Sequence, residues 1–175
     1  MITSGLKRSF YIAAGILIAL VSACSDNECL ENRNSLPLAG FYASTSNPAP
    51  VYLDSISIYG IGAPGDSILL DSASNITEAY LPFRIEESST TYVIKYLQKD
   101  LSRLNIHDTI TFTYDIIPFF VSSGCGAVYK YKVTDIRHSS FLIDSVSCPY
   151  GTIDNENIQN LRIFFRVKTM EEDAG

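Results

Sequence analysis

The stretch Thr109-Ile110-Thr111-Phe112-Thr113-Tyr114 alternates strictly between threonine and a larger apolar or aromatic residue. Successive side chains of a β-strand point to opposite faces of its sheet, so this period of two predicts a strand with one buried face. β-branched and aromatic residues also pack well on a half-buried pleated surface. The stretch therefore predicts a sheet that covers a hydrophobic core on one side.

Similar extended stretches recur along the chain at a spacing of roughly ten residues. They cover residues 40–44, 55–59, 67–70, 79–85, 91–97, 119–121, 128–133, 141–146 and 161–167. Gly, Pro and Ser-Asp residues separate them, and no long segment shows the period of a helix. The sequence thus predicts an all-β protein, an antiparallel β-sandwich of the immunoglobulin-like or a related type.

Three local features refine this prediction. Pro82 places the stretch 79–85 at a sheet edge or a bulge, because proline cannot donate to the ladder. Residues 99–107 lack capping residues, so we expect a loop there. Pro118 is expected to separate the strand that ends at Tyr114 from the stretch that begins at Phe119.

The amino terminus has the layout of a secretory signal. Lys7 and Arg8 precede an apolar run over residues 10–21, which is too short for a membrane-spanning helix. The run ends in Val21-Ser22-Ala23-Cys24, which resembles the lipobox of bacterial lipoproteins. We expect a signal peptide over residues 1–23, lipidation of Cys24 and a polar tether over 24–38. A β-sandwich domain over 39–168 and a polar tail over 169–175 complete the predicted organisation.

The residues after Cys24 leave the membrane face open. Ser25 follows the cysteine, so the aspartate that retains many lipoproteins in the inner membrane is absent. Asp26 and Glu28 resemble the acidic surface-export signal of Bacteroidetes lipoproteins, but Asn27 interrupts them. We expect an outer membrane lipoprotein on either the periplasmic face or the cell surface.

The negative net charge argues against some classes of binding partner. The whole chain carries a net charge of −6, and removal of residues 1–23 takes away Lys7 and Arg8 and no acid, which leaves −8. An acidic domain is repelled by phosphate backbones and by anionic lipid headgroups, so no nucleic-acid partner is expected. Only 18% of the residues are charged, which suits a chain that buries a core.

Three cysteines remain after lipidation of Cys24, namely Cys29, Cys125 and Cys148. Outside the cytoplasm a disulfide is expected, and three thiols allow one bond and one spare. Cys125 lies between two glycines and could turn toward either partner. Because the chain has no Cys-x-x-Cys and no histidine close to these cysteines in sequence, we expect no metal site and no cofactor.

Five features together resemble a family of small Bacteroidetes lipoproteins of unknown function. They are the lipobox, the early Cys29, the Leu81-Pro82-Phe83 strand, the Phe120-Val121-Ser122-x-x-Cys125-Gly126 turn and the closing Asn160-Leu161-x-Ile163-Phe164-Phe165 strand. The resemblance implies a secreted all-β domain and a disulfide between Cys29 and Cys125. Cys148 is then an addition of this chain and the alternative disulfide partner. The family brings no catalytic residues with it.

Catalytic patterns are weak. His107 and His138 lie in polar segments beside Asp108 and Arg137, but no Gly-x-Ser-x-Gly elbow accompanies them. The acidic clusters, Glu86-Glu87 and residues 154–156, lie in predicted turns, where solvated charge explains them without a glycosidase or a calcium site. We therefore expect a protein that is not an enzyme.

Asp followed by Ser or Thr and an apolar residue occurs repeatedly. This tripeptide resembles the O-glycosylation site of Bacteroidetes envelope proteins, and turn chemistry ahead of a strand is the alternative. The candidate acceptors are Ser55, Ser67, Ser72, Thr109 and Ser145.

The sequence favours a lipid-anchored envelope protein with a non-catalytic role in partner binding or structure. The binding surface would be a sheet edge or a face of exposed tyrosines, for which Tyr129 and Tyr131 are candidates, although packing of that face in a core is favoured. The alternative is a glycan-binding accessory lipoprotein of an uptake system. An envelope hydrolase is the weaker alternative.

Overall fold

A computed structural model describes residues 35–62, 67–122 and 126–167 of the 175-residue chain. The predicted signal peptide, most of the predicted tether and the polar tail lie outside these residues. None of the helices among the described residues is long and apolar enough to cross a membrane.

Ten strands and one short helix make up the described chain. The strands are β1 (Leu38–Ala43), β2 (Ile56–Gly60), β3 (Ile68–Ala73), β4 (Glu78–Tyr80), β5 (Ser89–Tyr96), β6 (His107–Ser122), β7 (Gly126–His138), β8 (Ile143–Ser147), β9 (Thr152–Ile153) and β10 (Gln159–Phe165), and helix α1 (Lys99–Arg103) lies between β5 and β6. The ten strands form a four-stranded sheet in the order β4-β1-β10-β8 and a six-stranded sheet in the order β3-β2-β5-β6-β7-β9. The prediction of an all-β sandwich is confirmed.

The pairing is antiparallel except at the centre of the small sheet. There β1 and β10 run parallel, with Phe41 opposite Ile163 and Tyr42 opposite Phe164. The first and last strands of the domain are therefore neighbours, and their inward residues enter the core. These inward residues are Ala39, Phe41, Ala43, Leu161, Ile163 and Phe165.

An aromatic cluster fills the core between the sheets. The ring of Phe83, from the irregular segment after β4, stacks on Tyr114 at 4.4 Å between centroids and lies 5.2 Å from Phe112 and 5.4 Å from Tyr131. Burial raises the pKa of Tyr131 to about 12. The Tyr92 hydroxyl donates a hydrogen bond to the Pro82 carbonyl, which holds this segment over the large sheet.

The stretch 109–114 is a strand, as its alternation predicts, with Ile110, Phe112 and Tyr114 buried. The expectation that Pro118 ends a strand here is wrong, because β6 continues to Ser122. The Tyr114 amide donates to the Ser88 carbonyl on the β5 side, and backbone direction alternates along a strand. The nitrogen of Pro118 therefore faces that same side, where β6 has no neighbour beyond β5, and the ladder to β7 loses no hydrogen bond.

The expectation of a loop over residues 99–107 is also wrong in its first half, where α1 forms. Its N-cap residue Gln98 makes no side-chain capping bond, as the sequence suggests. Asp100 in the first turn and Arg103 in the last complement the helix dipole, and Leu101 packs against the core. Tertiary packing thus replaces the missing cap.

Candidate functional site

The outer face of the four-stranded sheet combines aromatic and hydrogen-bonding side chains from three strands. Alternation along β4, β1 and β10 turns apolar residues inward, Phe41 and Phe165 included, and leaves Tyr42, Glu78, Tyr80, Arg162 and Phe164 on the opposite face. Gln159 joins that opposite face because the register of β10 against β1 shifts between Gln159 and Leu161. We call this surface the outer sheet face, and its residues are Tyr42, Glu78, Tyr80, Gln159, Arg162 and Phe164.

A hydrogen-bonded chain crosses this face. The Tyr42 hydroxyl donates to Oε1 of Gln159 at 2.5 Å, and Nε2 of Gln159 donates to Oε2 of Glu78 at 3.0 Å. The Gln159 side chain can lie across β1 because Gly40 has none, since a Cβ there would come within 2.6 Å of Oε1. Gly40 thus allows one amide to link the phenol of Tyr42 to the carboxylate of Glu78.

Two aromatic rings flank this chain. Tyr42 and Phe164 lie 5.8 Å apart between centroids with a tilt of 36°. The Arg162 guanidinium carbon is 5.9 Å from the Tyr42 ring centroid, a cation–π geometry. On the neighbouring strand the exposed Tyr80 donates to Oδ1 of Asn157 at 3.3 Å.

The outer sheet face therefore offers flat apolar area, a guanidinium, an amide and a carboxylate within one small surface. Tyr, Phe and Arg are the residues most enriched at protein interfaces, because they bury large area at low entropic cost. None of its side chains is a nucleophile paired with a base.

The two histidines that the sequence offers as catalytic candidates both lie beside backbone carbonyl oxygens. Nδ1 of His107 lies 2.9 Å from the Asn105 carbonyl oxygen, and Nδ1 of His138 lies 2.8 Å from that of Ser139. Neither ring is hydrogen-bonded to a carboxylate among the described residues. Within that part of the chain no group of three or more His, Cys, Asp or Glu residues could hold a metal ion.

The acidic clusters lie in loops. Glu87 pairs with Arg84 at 2.8 Å, and Glu86 is exposed beside it. Asp154 accepts the Glu156 amide at 3.1 Å and lies 3.6 Å from Nζ of Lys130. These contacts are local loop and surface contacts, as the turn interpretation predicts.

Asp108 has a different role from the one its sequence context suggests. Its buried carboxylate accepts hydrogen bonds from the Tyr96 and Ser139 hydroxyls at 2.8 and 2.6 Å. It also accepts the amides of Phe141, Leu142 and Ile143 at 2.8 to 3.1 Å. Burial alone would raise its pKa, but these hydrogen bonds outweigh burial and hold the pKa of Asp108 below its ordinary value. It fastens the β7–β8 connection to β6.

The predicted glycan acceptors differ in exposure. Ser67, Ser72 and Ser145 are exposed, while Ser55 and Thr109 are half-buried. Of the aspartates that precede them, Asp66 lies outside the described residues, and the others bond to nearby backbone or hydroxyl groups. Asp54 accepts the Asn75 amide at 2.7 Å just before β2, as the turn interpretation expects. Asp71, Asp108 and Asp144 instead lie inside β3, β6 and β8.

Of the predicted cysteine sites, Cys24, Cys29 and Cys125 lie outside the described residues. Cys148 carries a free, half-buried thiol, and burial raises its pKa. It packs against the core. A raised pKa disfavours the thiolate, so this cysteine is a poor nucleophile.

The predicted tyrosine pair divides between core and surface. Tyr131 is buried, as expected for a face that packs in a core, whereas Tyr129 lies farther along β7 and is exposed.

A concave pocket of about 270 Å³ opens elsewhere, between β3 and the segment 82–84. Its lining is mainly apolar, and the Arg84 guanidinium at its rim is bound to Glu87 and to the Ile61 carbonyl.

The outer sheet face is not predictable from the sequence alone. Glu78, Tyr42 and Gln159 belong to three strands that are far apart in sequence, and each alone looks like an ordinary surface residue. The one local signal is Gly40 inside a strand, which marks a place where another group approaches the backbone closely.

Comparison with known proteins gives one match. A family model described as a family of unknown function (DUF6452) matches residues 55–165, more than half of the chain. No curated protein and no solved structure matches the sequence significantly. Residues 81–83, 120–126 and 160–165, which carry part of the predicted family resemblance, lie within the matched range, whereas Cys24 and Cys29 precede it.

Proposed function

The chain belongs to DUF6452, a family of unknown function, and from its exposed chemistry we propose that it is a non-catalytic binding protein of the cell envelope. Its binding surface is the outer sheet face, and its partner is an envelope protein. The observation that carries this proposal is the chain from Tyr42 through Gln159 to Glu78, flanked by Phe164 and Arg162. Such preorganised side chains lose little entropy on binding.

A crosslinking experiment tests the surface. A photo-crosslinking amino acid at Phe164, which lies beside the hydrogen-bonded chain without belonging to it, should capture a defined envelope protein in intact cells. The matched control is Tyr59, a half-buried tyrosine on the large sheet with Lys95 Nζ 5.2 Å from its ring. Equal capture at both positions, or none at Phe164, would contradict the proposal.

Replacing Gly40 with alanine should weaken partner capture at least tenfold and leave stability nearly unchanged. The new methyl group displaces only the flexible end of Gln159, and alanine suits a strand better than glycine by roughly 0.5–1 kcal/mol. Capture is measured with the crosslinker at Phe164, and stability is measured by urea unfolding. Undiminished capture by a folded Gly40→Ala variant would show that the Gln159 bridge is not part of the binding surface.

Glycan binding is the second candidate function. Sugar rings stack on aromatic faces and accept and donate hydrogen bonds at their edges, and the outer sheet face presents both kinds of group. A glycan array separates the two candidates. A glycan-binding lipoprotein of an uptake system gives a signal that Tyr42→Ala abolishes, whereas a protein-binding domain stays silent.

The proposed location rests on the lipobox-like Val21-Ser22-Ala23-Cys24, and lipidation of Cys24 anchors the domain in the outer membrane. The intact mass of the purified protein should equal residues 24–175 plus acyl groups. A mass that retains residues 1–23 would overturn the anchor. Protease digestion of intact cells tells the cell surface from the periplasmic face.

The same spectrum tests O-glycosylation. We infer that Ser67, Ser72 and Ser145 are the acceptors among the predicted sites, because they are exposed. Their hydroxyls should carry added sugar mass that shifts when each serine is replaced by alanine. A mass equal to the acylated polypeptide alone would remove this proposal.

A disulfide between Cys29 and Cys125 also belongs to the proposal. The resemblance to small Bacteroidetes lipoproteins supports Cys29 as the partner of Cys125. Cys148, whose thiol is free, is then the spare cysteine.

A further inference from the structure

Strands β6 and β7 extend beyond the sandwich as a two-stranded ribbon. Past Tyr114 no described strand pairs with β6 on the β5 side, and among the described residues β9 pairs with β7 at Tyr131 and Lys132 alone. We call residues 115–122 and 126–130 the ribbon. Its described residues have no third strand beside them.

The ribbon exposes large apolar side chains. Phe120 is 68% exposed, and Ile117 and Tyr129 are 42% exposed. Phe120 and Pro118 have the same strand parity as Tyr114, and Tyr129 pairs with Pro118, so Phe120 and Tyr129 continue the core-facing side of the sheet past the point where the small sheet covers it. Ile117 pairs with Lys130 and lies on the opposite face of the ribbon. Exposed apolar clusters of this kind mark surfaces that are covered in the functional state.

The ribbon projects from the end of the sandwich where the described chain begins. The Leu81 amide donates to the Pro37 carbonyl, and Phe83, two residues later, stacks on Tyr114 where the ribbon starts. The opposite end holds Phe165, after which the described chain ends at Val167. The segment that leads to Cys24 therefore leaves the domain beside the ribbon.

The lengths agree. From Tyr114 to Ser122 the ribbon extends by about 26 Å at the usual strand rise. Residues 24–34, which lie outside the described residues, span at most about 40 Å when fully extended. A tether of this reach lets the far end of the ribbon and an acylated Cys24 lie at the same membrane surface.

The ribbon carries little charge for an acidic protein. From 115 to 132 the sequence contains one acid, Asp115, and two cations, Lys130 and Lys132, while the whole chain has a net charge of −6. Nζ of Lys130 lies 4.3 Å from the Phe119 ring centroid and 3.6 Å from Asp154. The attraction to a bilayer is therefore apolar rather than electrostatic, which suits a zwitterionic surface.

Strand addition is not favoured on this edge. The nitrogen of Pro118 faces the open side of β6, and proline there interrupts the row of donors that an added strand would use. The available interaction is insertion of side chains. Aromatic residues such as Phe and Tyr partition readily into the boundary between headgroups and acyl chains.

We propose that the ribbon inserts Phe120 and Tyr129 into the lipid bilayer next to the anchor and so fixes the orientation of the domain on the membrane. This inference rests on the proposed lipidation of Cys24. The outer sheet face then stands away from the membrane on the side of the sandwich and remains accessible to its partner.

The chain contains no tryptophan, so a single introduced one is an unambiguous reporter. The full acylated chain with Phe120→Trp is placed in phosphatidylcholine vesicles with brominated acyl chains. Its emission should move to shorter wavelength and be quenched. The matched control is Phe141→Trp, because Phe141 is 59% exposed and bonds through its amide to Asp108 near the other end of β6.

A second variant separates insertion from mere proximity. Adding Tyr129→Asp, on the same face of the ribbon, to Phe120→Trp should abolish the quenching while the acyl chains keep the protein on the vesicles. Solvent-like emission from Phe120→Trp, or equal quenching of Phe141→Trp, would overturn the proposal. The intact mass reports acylation independently, so a missing anchor and a ribbon that does not insert are distinguishable results.

Discussion

Replacing Asp108 with alanine is expected to lower the free energy of unfolding by about 3–5 kcal/mol. The carboxylate accepts two hydroxyl and three amide hydrogen bonds in a fully buried position. The variant leaves these donors without an acceptor, and each buried unsatisfied group costs roughly 1–3 kcal/mol before relaxation. Urea unfolding followed by far-UV circular dichroism measures the loss.

The matched control is Asp144→Ala. Asp144 belongs to the same kind of Asp-Ser-apolar tripeptide, but its carboxylate is exposed and bonds to Ser44 and Arg166. A much smaller loss of stability is expected there, because water replaces the lost contacts. Equal losses in the two variants would show that the buried network does not stabilise the fold.

The Asp108 network also predicts a pH dependence. Because the pKa of Asp108 is lower in the folded state than in the unfolded one, the unfolded chain binds more protons as the medium becomes acidic. The resulting stability is present above the ordinary carboxyl pKa, near 3.9, and is lost as the pH falls through the folded-state value. Wild-type stability should fall more steeply in this range than that of Asp108→Ala, and parallel curves would refute the assignment.

Replacing Phe83 with alanine should destabilise the protein by a similar amount, about 3–5 kcal/mol. Its ring contacts Phe112, Tyr114 and Tyr131, so truncation leaves a cavity between the two sheets that rigid strands cannot close. The measurement is the midpoint and slope of urea unfolding. The slope should stay constant if only the native packing has changed.

Phe120→Ala is the control for Phe83→Ala. The same side chain is removed, but Phe120 is largely exposed, so its loss should change stability by no more than about 0.5 kcal/mol in water. If Phe83→Ala were equally mild, the segment after β4 would not be a structural part of the core.

Local pattern was sufficient to predict the strands whose two faces differ most. Ile110, Phe112 and Tyr114 are buried because every second residue of a half-covered strand faces the core. The same reasoning was wrong at Pro118, since the consequence of a missing N–H depends on which side of the strand it faces. A neighbouring strand decides that, and the sequence around Pro118 does not contain this information.

Asp108 shows that the role of a buried polar residue is likewise not predictable from its neighbours in sequence. In the sequence it follows His107 and precedes Thr109, a context that suggests a catalytic partner or a glycosylation motif. Its donors come from Tyr96 on β5 and from Ser139 onward, so the network exists only after β5, β6 and the β7–β8 connection have packed together. Burial and hydrogen bonding are properties of that assembly.

Short-range sequence patterns predict the all-β class, most strand positions and the resemblance to a family of unknown function, because these depend on alternation, turn residues and short motifs within a few residues of each other. Three other features follow from the packing of the whole domain, namely the parallel pairing of β1 with β10, the Tyr42–Gln159–Glu78 chain and the ribbon at the end where the described chain begins. Each of these joins residues that are distant in sequence, and their meeting is set by sheet order and register. Neither sheet order nor register is encoded in any single stretch of the chain.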